Sequence, residues 1–230
     1  MANQTADEAK KANIEKMGEG LGAVYSALWQ AVAIAFLNWK DYTELFGANP
    51  KRVEIMNRTA PALFRMIQDE LWEMSLLHLA RLTDPAQSPG KVDKLNLSVD
   101  ALAPLVGDKD VKVDVARLVE EAKQATAFCR DWRNRHIAHR DLKLALEQPT
   151  EPLAEASRAQ VKAALDAIAA VLNRLAIHHL KSETRFDAAA RHNSALTLLY
   201  VINDGLAGKD AKMARLREGN PLESDFDPPL

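Results

Sequence analysis

The spacing of apolar residues leaves this chain few folds to choose from. They recur in alternating steps of three and four, beginning with Leu21, Tyr25, Leu28, Val32, Ala35, Trp39, Tyr42 and Phe46. Only a helix gathers residues so spaced onto one face. A second stripe runs Phe64, Ile67, Leu71, Met74, His78, behind Pro61, whose fixed φ and missing N–H suit a first helical turn. Later stripes run Val111, Val115, Leu118, Ala122, Ala125, Cys129, Trp132, then Val161, Leu165, Ile168, Leu172, Leu175, His179, then Ala195, Leu199, Ile202, Leu206. No period-two run is long enough for a strand. The expected fold is an all-α, up-and-down bundle of about five to six helices with short connections.

Turn residues place the boundaries. Gly47 and the Asn49-Pro50 pair end the first long helix, and residues 51–58 form a separate turn or a kinked start to the next. Residues 83–94, rich in proline and polar residues, read as a long loop. Ser98 caps a short helix ended by Gly107, and Asp108 or Asp110 caps the fourth long helix. Residues 142–152, with Pro149 and Pro152, form the next linker. This gives a flexible extension or helix start over residues 1–20, one helical domain over 21–219, and an acidic tail over 220–230 that is expected to fray. Gly18-x-Gly20-x-Gly22 follows no strand and precedes no lysine-serine pair, so it is no phosphate loop; it loosens the start of a helix.

Charge and cysteine usage narrow the function. The 230 residues carry a net charge of -2, so a basic coat is excluded and any nucleic acid must meet a local site. Cys129 is the only cysteine. It excludes an internal disulfide and a multi-cysteine zinc site, and fits a reducing cytoplasm. The polar N-terminus lacks a signal-type apolar core. Residues 21–39 are uncharged and nearly long enough to span a bilayer, but Gly22, Ser26, Gln30 and Asn38 favour a buried helix, and no membrane partner is expected.

The fourth long helix carries the chemistry. Its apolar stripe reaches Trp132 and then lands on His136 and His139, with Arg133 and Arg140 at its edge and Arg135 next to His139. Residues 129–141 hold four arginines and two histidines, a concentrated positive site in a chain of net negative charge. Cations at a helix end also complement the macrodipole, and inward histidines are commonly satisfied core residues. Yet arginine is a planar, permanent phosphate ligand, and histidine exchanges protons near neutrality. Those two parts suffice for phosphodiester transfer in RNA, whose 2′-hydroxyl is the nucleophile.

Arg133-Asn134, four further residues and His139 match the Arg-x(4–6)-His signature of the HEPN superfamily. The resemblance extends to Trp39-x-x-Tyr42-x-x-Leu45-Phe46-Gly47, Leu77-His78-Leu79-Ala80-Arg81-Leu82-Thr83-Asp84, Asn96-Leu97-Ser98 and Leu199-Tyr200-Val201-Ile202-Asn203-Asp204-Gly205-Leu206, where the chain looks like the AbiU-type abortive-infection branch. It spans roughly residues 25–219, most of the chain. The resemblance implies a HEPN-like bundle that forms a homodimer through the motif helix, with two motif copies lining one cleft. It implies a metal-independent, cofactor-free endoribonuclease leaving 2′,3′-cyclic phosphate and 5′-hydroxyl ends, in phage defence or a toxin–antitoxin pair with an antitoxin-like partner. Carried over, His139 is the general acid/base, Arg133 holds the scissile phosphate and Asn134 orients the site. Arg130, Arg135, His136 and Arg140 are the candidates for backbone phosphates. On an ideal helix Arg133 and His139 sit about 120° apart, so either the helix breaks near Ala138 or the dimer completes the site.

Two other readings compete. A metal site would draw on His78, His136, His139 and His179, but no Glu-x-x-His pair is present and His136-x-x-His139 supplies only two ligands, so no metal is expected. A non-catalytic module could use the same arginines to bind RNA, a nucleotide or an acidic partner. Trp29, Trp39 and Trp72 read as core; Trp132 could also stack on a base.

Overall fold

The computed structural model describes residues 5–47, 49–87, 94–189 and 191–226. Among them every long element is helical, and the sole β feature is a single bridge between Gln87 and Leu95. In chain order the helices are α1 (Ala6–Met17), α2 (Glu19–Phe46), α3 (Pro50–Thr59), α4 (Pro61–Leu82), α5 (Lys109–Ala125), α6 (Ala127–Trp132), α7 (Leu142–Ala145), α8 (Arg158–Leu180) and α9 (Ala195–Arg217). Short 3₁₀ turns cover Val99–Ala101, Ala103–Leu105, Phe186–Ala188 and Glu223–Phe226. The chain divides into two compact units, one made of residues 1–39 and 71–189, the other of residues 40–70 and 190–230.

Among the described residues the largest fully buried side chains belong to the first unit, including Leu28, Leu76, Leu79, Leu102, Leu165, Ile168, Leu172 and Leu175. Each such residue contributes roughly 1.5–3 kcal/mol by leaving water. Here α5 and α8 pack along their length. They run antiparallel: Asp114 near the start of α5 pairs with Arg174 near the end of α8 at 2.9 Å. The α8 stripe is buried from Val161 through Leu175, and its start is fixed by a capping box between Ser157 and Gln160.

Residues 5–17 form a capped helix. Thr5 and Glu8 make a capping box, the Thr5 amide donating to Glu8 Oε2 at 2.8 Å. Gly18 ends α1 at φ 86, a conformation in which a Cβ is strained. Gly22 then lets the α1 backbone approach: a Cβ there would lie 2.6 Å from the Asn13 carbonyl oxygen and 2.6 Å from Ile14 Cα. The Asn13 amide donates to Ser26 Oγ at 3.0 Å across the same contact.

α2 is, among the described residues, the one helix long and apolar enough to cross a bilayer, by length and composition alone. Its stripe of Leu21, Tyr25, Leu28, Val32 and Ala35 is buried within the first unit, as a core helix requires. Phe36 stacks on Phe186 at 5.5 Å, and Trp39 meets Trp72 of α4 at 6.2 Å. α4 buries Phe64 of the stripe its spacing predicted, but from residue 74 onward it buries a different one. Met74 is exposed and His78 half-buried, while Leu76, Leu79, Ala80 and Thr83 are buried. Adjacent apolar residues at 76 and 77 support either register, and tertiary packing selects one.

In the second unit α3 packs on α9, joined by an Arg58–Asp210 pair at 2.7 Å. Leu199 of the predicted α9 stripe is buried, and Ile202 and Leu206 are half-buried. The tail does not fray up to Phe226. Asp225 accepts from Arg215 and from the Leu222 amide, and these donors hold its carboxyl down at about 2.

Candidate functional site

The motif lies where the α5–α6 rod breaks twice. Asp108 caps α5 by accepting from the Val111 amide at 3.0 Å. At Thr126 the helix is interrupted, and α6 restarts one residue later. A π turn then spans Arg133–Ile137, closed by the Ala138 amide donating to the Arg133 carbonyl at 2.8 Å. Such a turn holds one residue more than an α turn, so later residues fall about 100° off the straight-helix stripe. His139, expected on the inward stripe, is instead exposed on the bend after the turn, and Arg140, which follows it, is exposed too. The helix thus ends at Ala138, one of the two outcomes the angular argument required.

The first break is anchored by two buried hydroxyls. Thr83, at the end of α4, and Thr126 bring their Oγ1 atoms within 2.7 Å. Oγ1 of Thr83 also lies 2.9 Å from the Leu79 carbonyl and Oγ1 of Thr126 lies 2.9 Å from the Ala122 carbonyl. This pair fastens residues 83–85 beside α5 and α6. There Arg130 donates to the Thr83 carbonyl at 2.8 Å, and Nη1 of Arg133 lies 2.5 and 2.6 Å from the two carboxylate oxygens of Asp84. Nε of Arg133 donates to Asn134 Oδ1 at 3.0 Å, so Asn134 orients the guanidinium. Lys123 pairs with Asp100 at 2.5 Å on the same side. Thr83, Asp84, Asn96, Lys123, Arg130 and Arg133 line an open cavity of about 520 Å³.

The other motif residues face different partners. Arg135 donates to the Glu151 and Pro152 carbonyls at 2.5 and 3.2 Å and reaches Asp131 at 3.3 Å. Asp131 accepts from the Ala154 amide at 2.8 Å, and Trp132 Nε1 donates to the Ala154 carbonyl at 2.8 Å. These three residues bind the 151–154 segment to the motif. His136 sits 3.1 Å from Glu73 and edge-on to Trp132. Asp141 caps α7 through the Lys143 and Leu144 amides.

The structure therefore gathers Arg130, Arg133 and Asn134 in one place, and leaves His139 and Arg140 open to solvent. His139 does not line the cavity. Asp84 and Lys123 were missed as site residues. Asp84 stands in a quoted motif, but its partner is 49 positions away and no periodicity signals the pairing. Among the described residues no group of three or more His, Cys, Asp or Glu is arranged to hold a metal ion. His179 lies with Asp108 at the opposite end of the α5–α8 pair from the motif. Cys129 is buried, and burial pushes its thiol up to about 12, which makes it a poor nucleophile.

The family model HEPN_AbiU2, described as AbiU2, matches residues 18–198. The chain belongs to the HEPN AbiU2 family. The match runs from the start of α2 into α9 and includes the whole motif segment with its two helix breaks. No curated protein and no solved structure was found to match. Membership in the HEPN AbiU2 family agrees with the all-α architecture described above.

Proposed function

We propose that this AbiU2-family protein is a metal-independent endoribonuclease of the HEPN type, acting in the cytoplasm in phage defence or a toxin–antitoxin pair. One observation carries the reading. Arg133 fronts an open cavity, and His139 follows on an exposed bend directly after the π turn. An imidazole that meets water can reach an incoming strand; one sealed in the core cannot.

In the proposed reaction His139 takes the proton of a ribose 2′-hydroxyl. The 2′-oxygen attacks phosphorus, the bond from phosphorus to the 5′-oxygen breaks, and the leaving oxygen receives a proton from a histidine imidazolium, which balances the proton taken from the 2′-hydroxyl. The products are a 2′,3′-cyclic phosphate and a 5′-hydroxyl. Arg133 binds the phosphate and offsets the charge that grows on it, held in line by Asn134. Arg130 and Arg140 suit flanking phosphates. Arg135 and His136 would serve there only after leaving their carbonyl and Glu73 partners, so their first role is to shape the motif. A homodimer through the motif segment would set two copies of His139 and Arg133 about one cleft. An antitoxin-like protein would hold that cleft shut.

Labelled RNA incubated with the pure protein in EDTA tests this. Cleavage with cyclic-phosphate ends is expected, and His139→Ala should lose about 10²–10⁴ in rate with an unchanged circular dichroism spectrum. A fully active His139→Ala protein would refute the mechanism. Retarded but intact RNA would support the second reading, a non-catalytic RNA-binding module, which the occupation of Arg133 by Asp84 favours.

A further inference from the structure

The cavity beside Arg133 contains more than the cleavage chemistry uses. Three cations reach it from α5 and the motif segment: Lys123, Arg130 and Arg133. One acid lies inside it. Both carboxylate oxygens of Asp84 sit on a single guanidinium nitrogen of Arg133, so an anion already occupies one arm of this phosphate-binding group without forming the two-nitrogen fork. Asp84 follows the end of α4, and among the described residues its carboxylate accepts from no other side chain. Arg130 is bound differently. Its guanidinium donates to the Thr83 carbonyl, and among the described residues it has no carboxylate within 4.0 Å. The Asp100–Lys123 pair is close enough to feel the charge of Arg130, but among the described residues no carboxylate is bonded to Arg130, so its guanidinium keeps donors for an anion.

From this geometry we infer that the cavity is an anion subsite for a phosphate of an RNA strand, with Asp84 as its displaceable internal occupant. The strand's phosphate replaces the Asp84 carboxylate on Arg133 and is shared with Arg130, while Lys123 stays paired with Asp100 and Glu120. Asp84 then acts as a gate that competes with the strand for Arg133. The inference rests on the proposed function in taking RNA as the strand and Arg133 and Arg130 as phosphate ligands; what it adds is the competing Asp84 carboxylate. No step of it involves His139.

The test is binding without cleavage. A fluorescein-labelled 2′-O-methyl oligoribonucleotide lacks the nucleophilic hydroxyl and cannot be cut. Its anisotropy is titrated with the full chain, with Asp84→Asn and with Arg130→Ala. Removing a competitor that is a partly exposed ion pair should tighten binding about fivefold. Arg130→Ala should weaken binding and reduce the slope of log affinity against log salt by about 0.7, the value for one single-strand phosphate contact. Inorganic phosphate should compete only weakly, since it gains none of the neighbouring contacts.

If Asp84→Asn binds no tighter while its urea midpoint is unchanged, the ion pair is structural and the gate is overturned. If Asp84→Asn does not fold, Arg130→Ala decides alone: an unaltered affinity and salt slope overturn the subsite. If inorganic phosphate displaces the oligonucleotide at equal concentration, the site serves a small anion and the strand assignment is overturned. Because the probe cannot be cleaved, an inactive nuclease leaves the fivefold effect standing. An active nuclease with no effect at Asp84 removes the gate and leaves the nuclease.

Discussion

Replacing Thr126 by valine probes the joint that positions the site. Thr126 is fully buried, and so is its partner Thr83. The two hydroxyls carry two protons but make three close contacts: to each other at 2.7 Å, and to the Leu79 and Ala122 carbonyls at 2.9 Å each. At any moment one proton lies between the hydroxyls and the other on one carbonyl. Valine at 126 keeps the shape and removes one hydroxyl. Thr83 can still donate to Leu79, so no donor is stranded, and the loss is one buried hydrogen bond worth about 1 kcal/mol. Thr83→Val should cost the same by the mirrored argument. The double variant should cost clearly less than the two single losses together, because each single variant still buries a hydroxyl oxygen that has lost its neighbour, whereas the double variant puts an apolar pair of the same shape there and buries no hydroxyl at all. All four tryptophans, Trp29, Trp39, Trp72 and Trp132, belong to the first unit, so their fluorescence in urea follows the unfolding of the unit that contains the joint. A drop in melting temperature of about 2–4 °C is expected for each single variant. The reasoning fails if the single variants lose nothing, or if the double variant loses the full sum.

Other perturbations test the remaining contacts. Gly22→Ala drives a Cβ to within 2.6 Å of α1 backbone atoms, so it should cost about 1–3 kcal/mol and expose α1 to protease; an undisturbed digestion pattern would contradict the close approach. Asp131→Ala removes the acceptor for the Ala154 amide and a partner of Arg135, and should destabilise by about 1–3 kcal/mol and speed proteolysis within residues 147–156. Burial, then Arg81, lowers the pKa of His78; burial, then His178, lowers that of His179. Both bind a proton more readily when unfolded, so their stability is full above about pH 6.5 and is lost as pH falls below it. The urea midpoint should therefore fall between pH 7.5 and 5.5, and His78→Gln should flatten the curve; a profile unaffected by His78→Gln would contradict the assignment. Asp225 acts in a lower window, where its lowered pKa gives stability that is lost as pH falls from about 4 towards 2, and Asp225→Asn should remove that acid-side loss.

How much of this was legible in the sequence depends on the range of the interaction involved. The α8 stripe from Val161 to Leu175 could be read directly, because its inward face is set by spacing within the helix. The caps at Asp108 and Ser98 were legible as positions, yet only Asp108 uses its side chain; the Ser98 hydroxyl is buried and has no hydrogen-bond partner among the described residues. The break at Thr126 was not legible. Thr126 differs from a helical neighbour only through the hydroxyl it shares with Thr83, 43 positions earlier. The same holds for Asp84, whose charge gains a meaning only when α4 and α6 are folded together. The motif shows both cases at once. Its residue types announced phosphate chemistry, but the straight-helix angle assigned His139 to the interior. One additional residue in the Arg133–Ile137 turn reverses that assignment, and the reversal favours the proposed chemistry. A histidine carried inward by an unbroken stripe would pack beside Cys129 and Trp132, whereas the wider turn releases it to water at the end of the segment that fixes Arg133.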